Sequence, residues 1–437
     1  LITATTFIHS FMKFENSLSF AKQMDANDAI GKYRHAFHLP AQQGKPVIYL
    51  TGNSLGLLPK KARDYVEQEF LDWQQYGVEG HFEAKNPWFY YHHFCESALA
   101  AIVGAQKQEV VAMGSLTANL HFLLVSFYRP AGARYKIMME ANSFPSDQYA
   151  IESQVRYHGY DPDDAIIELK PRAGEYTLRT EDILATIEVN KDSLATIIIG
   201  GVSYLTGQLM DMKAITLAGH HAGAVVGFDL AHAIGNVPLQ LHDWQVDFAC
   251  WCSYKYLNSG PGGVAGIFVH EQHSHKPELP RFAGWWGNAE ETRFRMEKGF
   301  HPQPGAAGWQ LSNAPVFPMA IHRASLELFE AAGMNQLRAK SELLTGFLEF
   351  VLRDFNLHFP DHALNIITPE DPAMRGCQLS LIATSNGKEI FNKLTKAGVF
   401  TDWREPNVIR MAPVPLHNSF EEVWRTGAVL NELMHAD

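Results

Sequence analysis

Short apolar runs alternate with amphipathic segments between residues 110 and 269, and this alternation constrains the fold more than any other feature of the chain. Runs at 110–113, 136–140, 165–169, 194–199, 224–228, 246–252 and 264–269 have the length and composition of buried strands. Between them, segments near 116–127, 147–157, 181–189 and 213–222 carry helical spacing. The alternation of strand and helix predicts an α/β domain built on a mainly parallel, doubly wound sheet of seven strands sandwiched by helices. Beyond Pro315 the texture changes: long helices are expected at 319–332 and 334–355, then short strands and helices to the end. A smaller α+β domain is placed there, giving residues 1–58 as a segment joining the small domain, 59–314 as the large domain and 315–437 as the small one. Ahead of the sheet, helices are expected at 28–38, 59–75 and 87–102, with a short strand at 47–50.

The run 246–252 stops at a polar cluster holding one lysine, Ser253-Tyr254-Lys255-Tyr256, followed by the turn Gly260-Pro261-Gly262-Gly263 and another apolar run. A strand-end lysine commonly just points at water; held between two buried strands it would instead be partly desolvated, which lowers an amine's pKa and favours Schiff-base chemistry with an aldehyde. The run 224–228 ends in Asp229-Leu230-Ala231-His232, so a carboxylate precedes the lysine at a neighbouring strand end. Open α/β sheets bind ligands at the carboxyl ends of their strands. An amine for an aldehyde carbon and a carboxylate for a pyridinium nitrogen are what pyridoxal phosphate needs from its protein.

Three further stretches bear on a site. Gly114-Ser115-Leu116-Thr117 joins a strand to a helix, a place where free backbone N–H groups favour phosphate, although simple N-capping explains it equally. Phe144-Pro145-Ser146-Asp147 sets an aromatic ring and a carboxylate at another strand-to-helix junction, readable as core and cap or as a ring stacked on a cofactor. Arg410 interrupts the apolar run 407–413, and a buried guanidinium needs an anion, either a structural carboxylate or a bound one.

A net charge of −11 argues against a nucleic-acid or acidic-membrane partner, and no stretch approaches the roughly 20 apolar residues of a membrane span. Cys95, Cys250, Cys252 and Cys377 make no disulfide framework and fit a reducing cytoplasm. No metal site is expected: Cys250-Trp251-Cys252 lacks a second pair, and the cluster His270, His273 and His275 reads as a solvated surface loop. The glycines at 260–263 follow the lysine and precede a strand, which is the wrong context for a nicotinamide fingerprint and disfavours a redox enzyme. Residues 1–11 lack a basic start and a cleavage site, so they are expected to be a disordered tail or an extension ahead of Met12 rather than a signal peptide.

Taken together, these motifs resemble the kynureninase family of pyridoxal-phosphate enzymes, of the aspartate-aminotransferase fold type I, over residues 49–420. The resemblance is carried by Gly-Asn-Ser-Leu-Gly (52–56), Leu-Thr-Ala-Asn-Leu-His (116–121), Phe-Pro-Ser-Asp-Gln-Tyr-Ala-Ile-Glu-Ser (144–153), Gly-Phe-Asp-Leu-Ala-His (227–232), Asp-Phe-Ala-Cys-Trp-Cys-Ser-Tyr-Lys-Tyr-Leu-Asn (247–258), Gly-Trp-Trp-Gly (284–287) and Arg-Met-Ala-Pro-Val-Pro-Leu (410–416). It implies hydrolysis of the Cβ–Cγ bond of L-kynurenine or 3-hydroxy-L-kynurenine through aldimine, quinonoid and ketimine stages, giving anthranilate or its 3-hydroxy form and L-alanine. It implies Lys255, Tyr254 and Asp229 as catalytic residues. Leu116, Thr117, Phe144, Ser146, Asp147, Asp229, His232, Tyr254 and Lys255 would hold the cofactor, with Trp285 and Asn313 reaching across from the second subunit of a homodimer. Ser54, His81, Ser312 and Asn313 would line the aryl pocket and Arg410 would clamp the substrate carboxylate, with Arg404 as the fallback. Gly200 departs from the serine that animal relatives carry near the cofactor. Two other outcomes stay open: a cysteine desulfurase, for which Cys377 is the one small-domain candidate, and a catalytically silent homologue that binds the cofactor as a ligand.

Overall fold

The computed structural model describes residues 13–274 and 276–435. The expected tail at 1–11, and His275, lie outside the described residues. The larger sheet has seven strands: β1 (Val110–Ala112), β2 (Lys136–Glu140), β3 (Ile166–Leu169), β4 (Leu194–Gly200), β5 (Val225–Asp229), β6 (Phe248–Trp251) and β7 (Gly266–Val269). Their order is β1-β7-β6-β5-β4-β2-β3. Every pairing is parallel except those of β7, which runs antiparallel to both β1 and β6.

The central strands are apolar without interruption because helices cover both faces of the sheet. Successive residues serve opposite cores: Ile197, Ile199, Val226, Phe228 and Trp251 pack on one side, and Ile198, Phe248, Cys250 and Ile267 on the other. Gly227 is required in mid-strand, since a Cβ there would stand 2.2 Å from the Phe248 ring. That ring stacks on Phe127 at 4.8 Å and fastens the helix Leu116–Phe127 to the sheet.

A second, antiparallel sheet orders Leu364–Ile366, Leu379–Ala383, Val408–Met411 and Asp402–Arg404 side by side. Its core includes residues of the helices Met334–His358 and Phe420–His435, together with Ala21 and Leu50 from the beginning of the chain. Ile48–Tyr49 pairs in parallel with Val399–Phe400.

Several local expectations are corrected. The helix expected at 28–38 is a 3-10 turn, Gly31–Ala36, after which Phe37–His38 pairs with Leu58–Pro59. That pairing occupies Pro59, so the next helix begins at Ala62 and ends at Tyr76. The helix expected at 87–102 is divided into a short turn, Trp88–Tyr90, and a helix, His93–Val103. His270 and His273 are buried rather than solvated. His270 Nε2 meets His242 O at 3.2 Å. Asp247 is the reason for His273: its carboxylate is out of water and takes hydrogen bonds from Val226 N at 2.7 Å, His220 Nε2 at 2.8 Å and His273 Nε2 at 2.8 Å. Those donors hold its pKa down to about 2 against the cost of burial.

Candidate active site

Asp229 closes β5, in register with Gly200 of β4 and Cys250 of β6. The lysine follows the end of β6, and the 52–56 loop docks on it: Gly56 N donates to Tyr254 O at 2.8 Å. A Cβ at Gly56 would lie 2.3 Å from Lys255 O, so only glycine permits that approach. Across the sheet edge, the helix Leu116–Phe127 begins at Ser115 with no side-chain cap, leaving its first-turn N–H groups aimed outward for an anion. Thr117 Oγ1 meets Ser146 Oγ at 2.6 Å, joining this helix start to that of Pro145–Tyr157.

One cavity of about 210 Å³ collects these ends. Nine residues anticipated for the cofactor line it: Leu116, Thr117, Phe144, Ser146, Asp147, Asp229, His232, Tyr254 and Lys255. Lys255 Nζ lies 3.0 Å from His232 Nε2 and 5.9 Å from the ring centres of Phe144 and Tyr254. Burial, helped by Lys255, Arg410 and Arg404, keeps His232 well below its ordinary pKa. The imidazole is therefore neutral and accepts from the amine through Nε2, which leaves the ring proton on Nδ1, where it has no partner.

Asp147 is pushed well above the carboxylate range by burial and by the charge of Asp229 beside it. It keeps its proton beside Asp229, whose own carboxyl burial also raises, although the contact with Asp147 and the hydrogen bond from Ala231 N at 2.6 Å pull it down. Tyr254 is also pushed up, chiefly by burial, and stays a phenol. An amine, a carboxylate, an exposed aromatic face on Phe144 and an uncapped helix start are the complement of an aldehyde, a pyridinium nitrogen, a flat ring and a phosphate. The buried Asp147 Oδ1 and His232 Nδ1, both without a partner, mark polar contacts for a bound group to complete. The residues fit pyridoxal phosphate.

The remaining anticipated residues do not line this cavity. Trp285 is 43% exposed and borders a separate hollow with Arg293 and Met296. Ser312 and Asn313 are exposed, Ser54 is half-buried in the docked loop, and His81 packs edge-on against Trp88 at 5.5 Å. Arg410 is fully buried, with Nη2 on Asp402 Oδ2 at 2.7 Å and Nη1 donating to Tyr204 O at 2.6 Å. Sequence reasoning missed Glu140 and Tyr204, both of which line the cavity. Glu140 is the last residue of β2, and a search of strand carboxyl ends finds it. Tyr204 sits in a loop and offers no local signal.

An aminotransferase class-V model matches residues 48–359, and a kynureninase C-terminal domain model matches residues 337–430. Kynureninase from Flavobacterium johnsoniae is 53% identical to this chain, over 96% of it and 99% of the relative. The chain belongs to the kynureninase family. The kynureninase of Myxococcus xanthus is 54% identical over 94% of the chain and 96% of the relative, and that of the animal Nematostella vectensis 49% identical over 95% and 93%. Among solved structures, the cysteine desulfurase CsdA of Escherichia coli superposes with a TM-score of 0.74 at 16% identity, covering 93% of this chain and 98% of that one. A cysteine desulfurase from Thermococcus onnurineus gives 0.73 at 15% identity, covering 90% and 95%. At that distance the likeness is one of fold, the pyridoxal-phosphate fold type I. Membership of the kynureninase family makes the chain a pyridoxal-phosphate enzyme, a hydrolase acting on carbon–carbon bonds.

Proposed function

We propose that the chain cleaves the Cβ–Cγ bond of L-kynurenine and 3-hydroxy-L-kynurenine, releasing L-alanine and anthranilate or 3-hydroxyanthranilate. The observation that carries this reading is the convergence of Lys255, Asp229 and the start of the Leu116–Phe127 helix on one cavity at the strand ends. Bound through Lys255, the cofactor supplies an electron sink for charge developing beside the substrate amino group. Asp229 would hold the pyridinium proton: burial raises its carboxyl, and the contact with Asp147, the hydrogen bond from Ala231 N and the charge of Lys255 act against that rise. Phe144 would offer its exposed ring for stacking, and Thr117, Ser146 and the backbone at Leu116 would hold the phosphate. Lys255 moves the proton at Cα, oriented by neutral His232. Tyr254, held as a phenol, donates to the side-chain ketone oxygen as water adds.

Arg410 is the proposed clamp for the substrate carboxylate. Its Nε has no partner, and its contact with Tyr204 O brings the guanidinium to a residue of the cavity wall. Arg404, which shares Asp402 at 3.3 Å, is the alternative. The polar residues Ser54, His81, Ser312 and Asn313 are assigned to the aryl pocket, where they favour a ring hydroxyl. We further propose a homodimer in which Trp285 and Asn313 complete the partner's site, a reading supported by their exposure away from the cavity of their own chain. The division at residues 58 and 314 is proposed with it, supported by the pairing of Ile48–Tyr49 with Val399–Phe400. No helix among the described residues is long and apolar enough to cross a membrane, and the four free buried cysteines support a cytoplasmic setting.

The desulfurase reading has the fold in its favour and the cysteines against it. Cys377 is fully buried and its thiol is pushed up to about 12, the reverse of a nucleophile's environment.

Borohydride reduction followed by peptide mapping tests the attachment, and an adduct anywhere but Lys255 overturns it. Added L-kynurenine should yield anthranilate fluorescence, whereas an intact cofactor band without product favours a silent homologue. In competition at equal concentrations, accumulation of anthranilate alone would refute use of the 3-hydroxy substrate.

A further inference from the structure

Two clusters away from the cavity bring three metal-ligating groups within 4.8 Å of one another: Glu109, His242 and His270, and His92, His93 and Glu290. The first is a closed hydrogen-bond network. Glu109 accepts from Gln106 N and Glu271 N, both at 2.8 Å, and meets His242 Nδ1 at 3.0 Å, while His270 Nε2 is engaged with His242 O at 3.2 Å. Its donors and acceptors satisfy one another.

The second cluster is left open. His92 is fully buried, yet neither ring nitrogen makes a hydrogen bond. Nδ1 is left with no partner and Nε2 with an ion-pair contact alone, which costs free energy out of water unless something else fills the role. Its Nε2 points at Glu290 Oε1, 3.5 Å away, and His93 Nε2 lies 3.2 Å from the same oxygen. Nitrogen and oxygen ligands held about 2.0–2.1 Å from a tetrahedral ion stand roughly 3.4 Å apart. The two nitrogen–oxygen spacings bracket that value, and all three ligand atoms lie within 4.8 Å of one another. Behind His93, Glu96 Oε1 meets Nδ1 at 2.7 Å, the carboxylate–histidine arrangement that orients an imidazole toward a metal. Glu96 lies three residues beyond His93 on the helix His93–Val103, so the helix itself sets this contact.

We propose that His92 Nε2, His93 Nε2 and a Glu290 carboxylate oxygen form a binding site for a borderline divalent transition ion of the zinc type. Two imidazoles and one carboxylate suit such an ion better than magnesium or calcium, which prefer all-oxygen shells. His93 and Glu290 are partly exposed, so water can take the fourth position. Glu290 closely follows Trp285-Trp286-Gly287 and Arg293 packs over Trp286 at 4.3 Å, so the ion would tie the helix His93–Val103 to the segment carrying Trp285. The site does not depend on the reaction assigned above.

The test uses the full-length holoenzyme, stripped with chelator and dialysed into phosphate-free buffer. Zn²⁺ is titrated by calorimetry, and stoichiometry is read by elemental analysis. One ion per chain is expected. Glu290→Gln and His93→Ala should each weaken Zn²⁺ binding by at least about 100-fold, and Glu96→Gln by about 10–100-fold. His242→Ala, in the closed cluster, should leave affinity within about twofold. Retention of the cofactor absorbance band confirms that each variant is folded. Bound Co²⁺ should give the intense visible band of a four-coordinate ion, lost in Glu290→Gln. Equal Zn²⁺ affinity in the parent, His93→Ala and Glu290→Gln proteins, or no binding to the parent, overturns the proposal.

Discussion

Lys255 Nζ donates to a histidine, His232 Nε2 at 3.0 Å, that burial prevents from taking a proton of its own. The pair aims the amine and leaves Asp147 and Asp229 as the acids beside it. Loss of a hydrogen bond to a charged group costs about 1.5–3 kcal/mol. His232→Ala is therefore expected to lower kcat by roughly 10–150-fold while the borohydride adduct still maps to Lys255. An unchanged kcat would show that the amine needs no such guide.

Glu140 yields a pH prediction with a definite sign. Burial lifts it from 4.5 in the unfolded chain to about 7, despite the hydrogen bond from Gly200 N at 3.1 Å. The folded state holds that proton more tightly, so its stabilising contribution is complete below 4.5 and disappears as pH rises through about 7. Denaturant unfolding of Glu140→Gln should lose less stability than the parent between pH 5 and pH 8, with a difference on the order of 3 kcal/mol. Parallel curves would mean that another group carries the dependence.

The proposed sharing of sites between subunits is open to complementation. Trp285→Ala and Lys255→Ala proteins should each be nearly inactive. Mixed under dissociating conditions and reassembled, they should recover about a quarter of the parent activity, because half of the dimers are hybrids with one intact site. No recovery, with hybrids demonstrated by mass spectrometry, places Trp285 outside the partner's site.

All four cysteines are buried, and the thiols of Cys95 and Cys377 are each pushed up to about 12. Iodoacetamide at pH 7 should leave the native protein unmodified and alkylate four thiols after denaturation. L-Cysteine should release no sulfide. Rapid labelling of Cys377 together with sulfide release would revive the desulfurase reading.

The sheet was legible because buried parallel strands must be apolar from end to end, and the seven runs read as strands all form them. Lys255, Asp229 and the helix start at Leu116 were legible for a related reason: a polar residue that interrupts such a run at its carboxyl end stands out against it. Errors gathered where local pattern and tertiary pairing compete. Residues 28–38 have helical spacing, but Phe37–His38 pairs with Leu58–Pro59 and only the 3-10 turn Gly31–Ala36 forms there. His273 looked solvated until Asp247, 26 residues earlier, proved to need its donor.

Strand order, the proton shared by Asp147 and Asp229, and the meeting of His92 with Glu290 belong to the tertiary structure alone. Periodicity and composition act over a few residues, so the chain by itself determined its α/β class and pointed to the strand-end lysine that lines the cavity. Which distant groups lose their water together, and therefore which keep a proton or lack a partner, depends on how the elements pack, and only the folded molecule decided it.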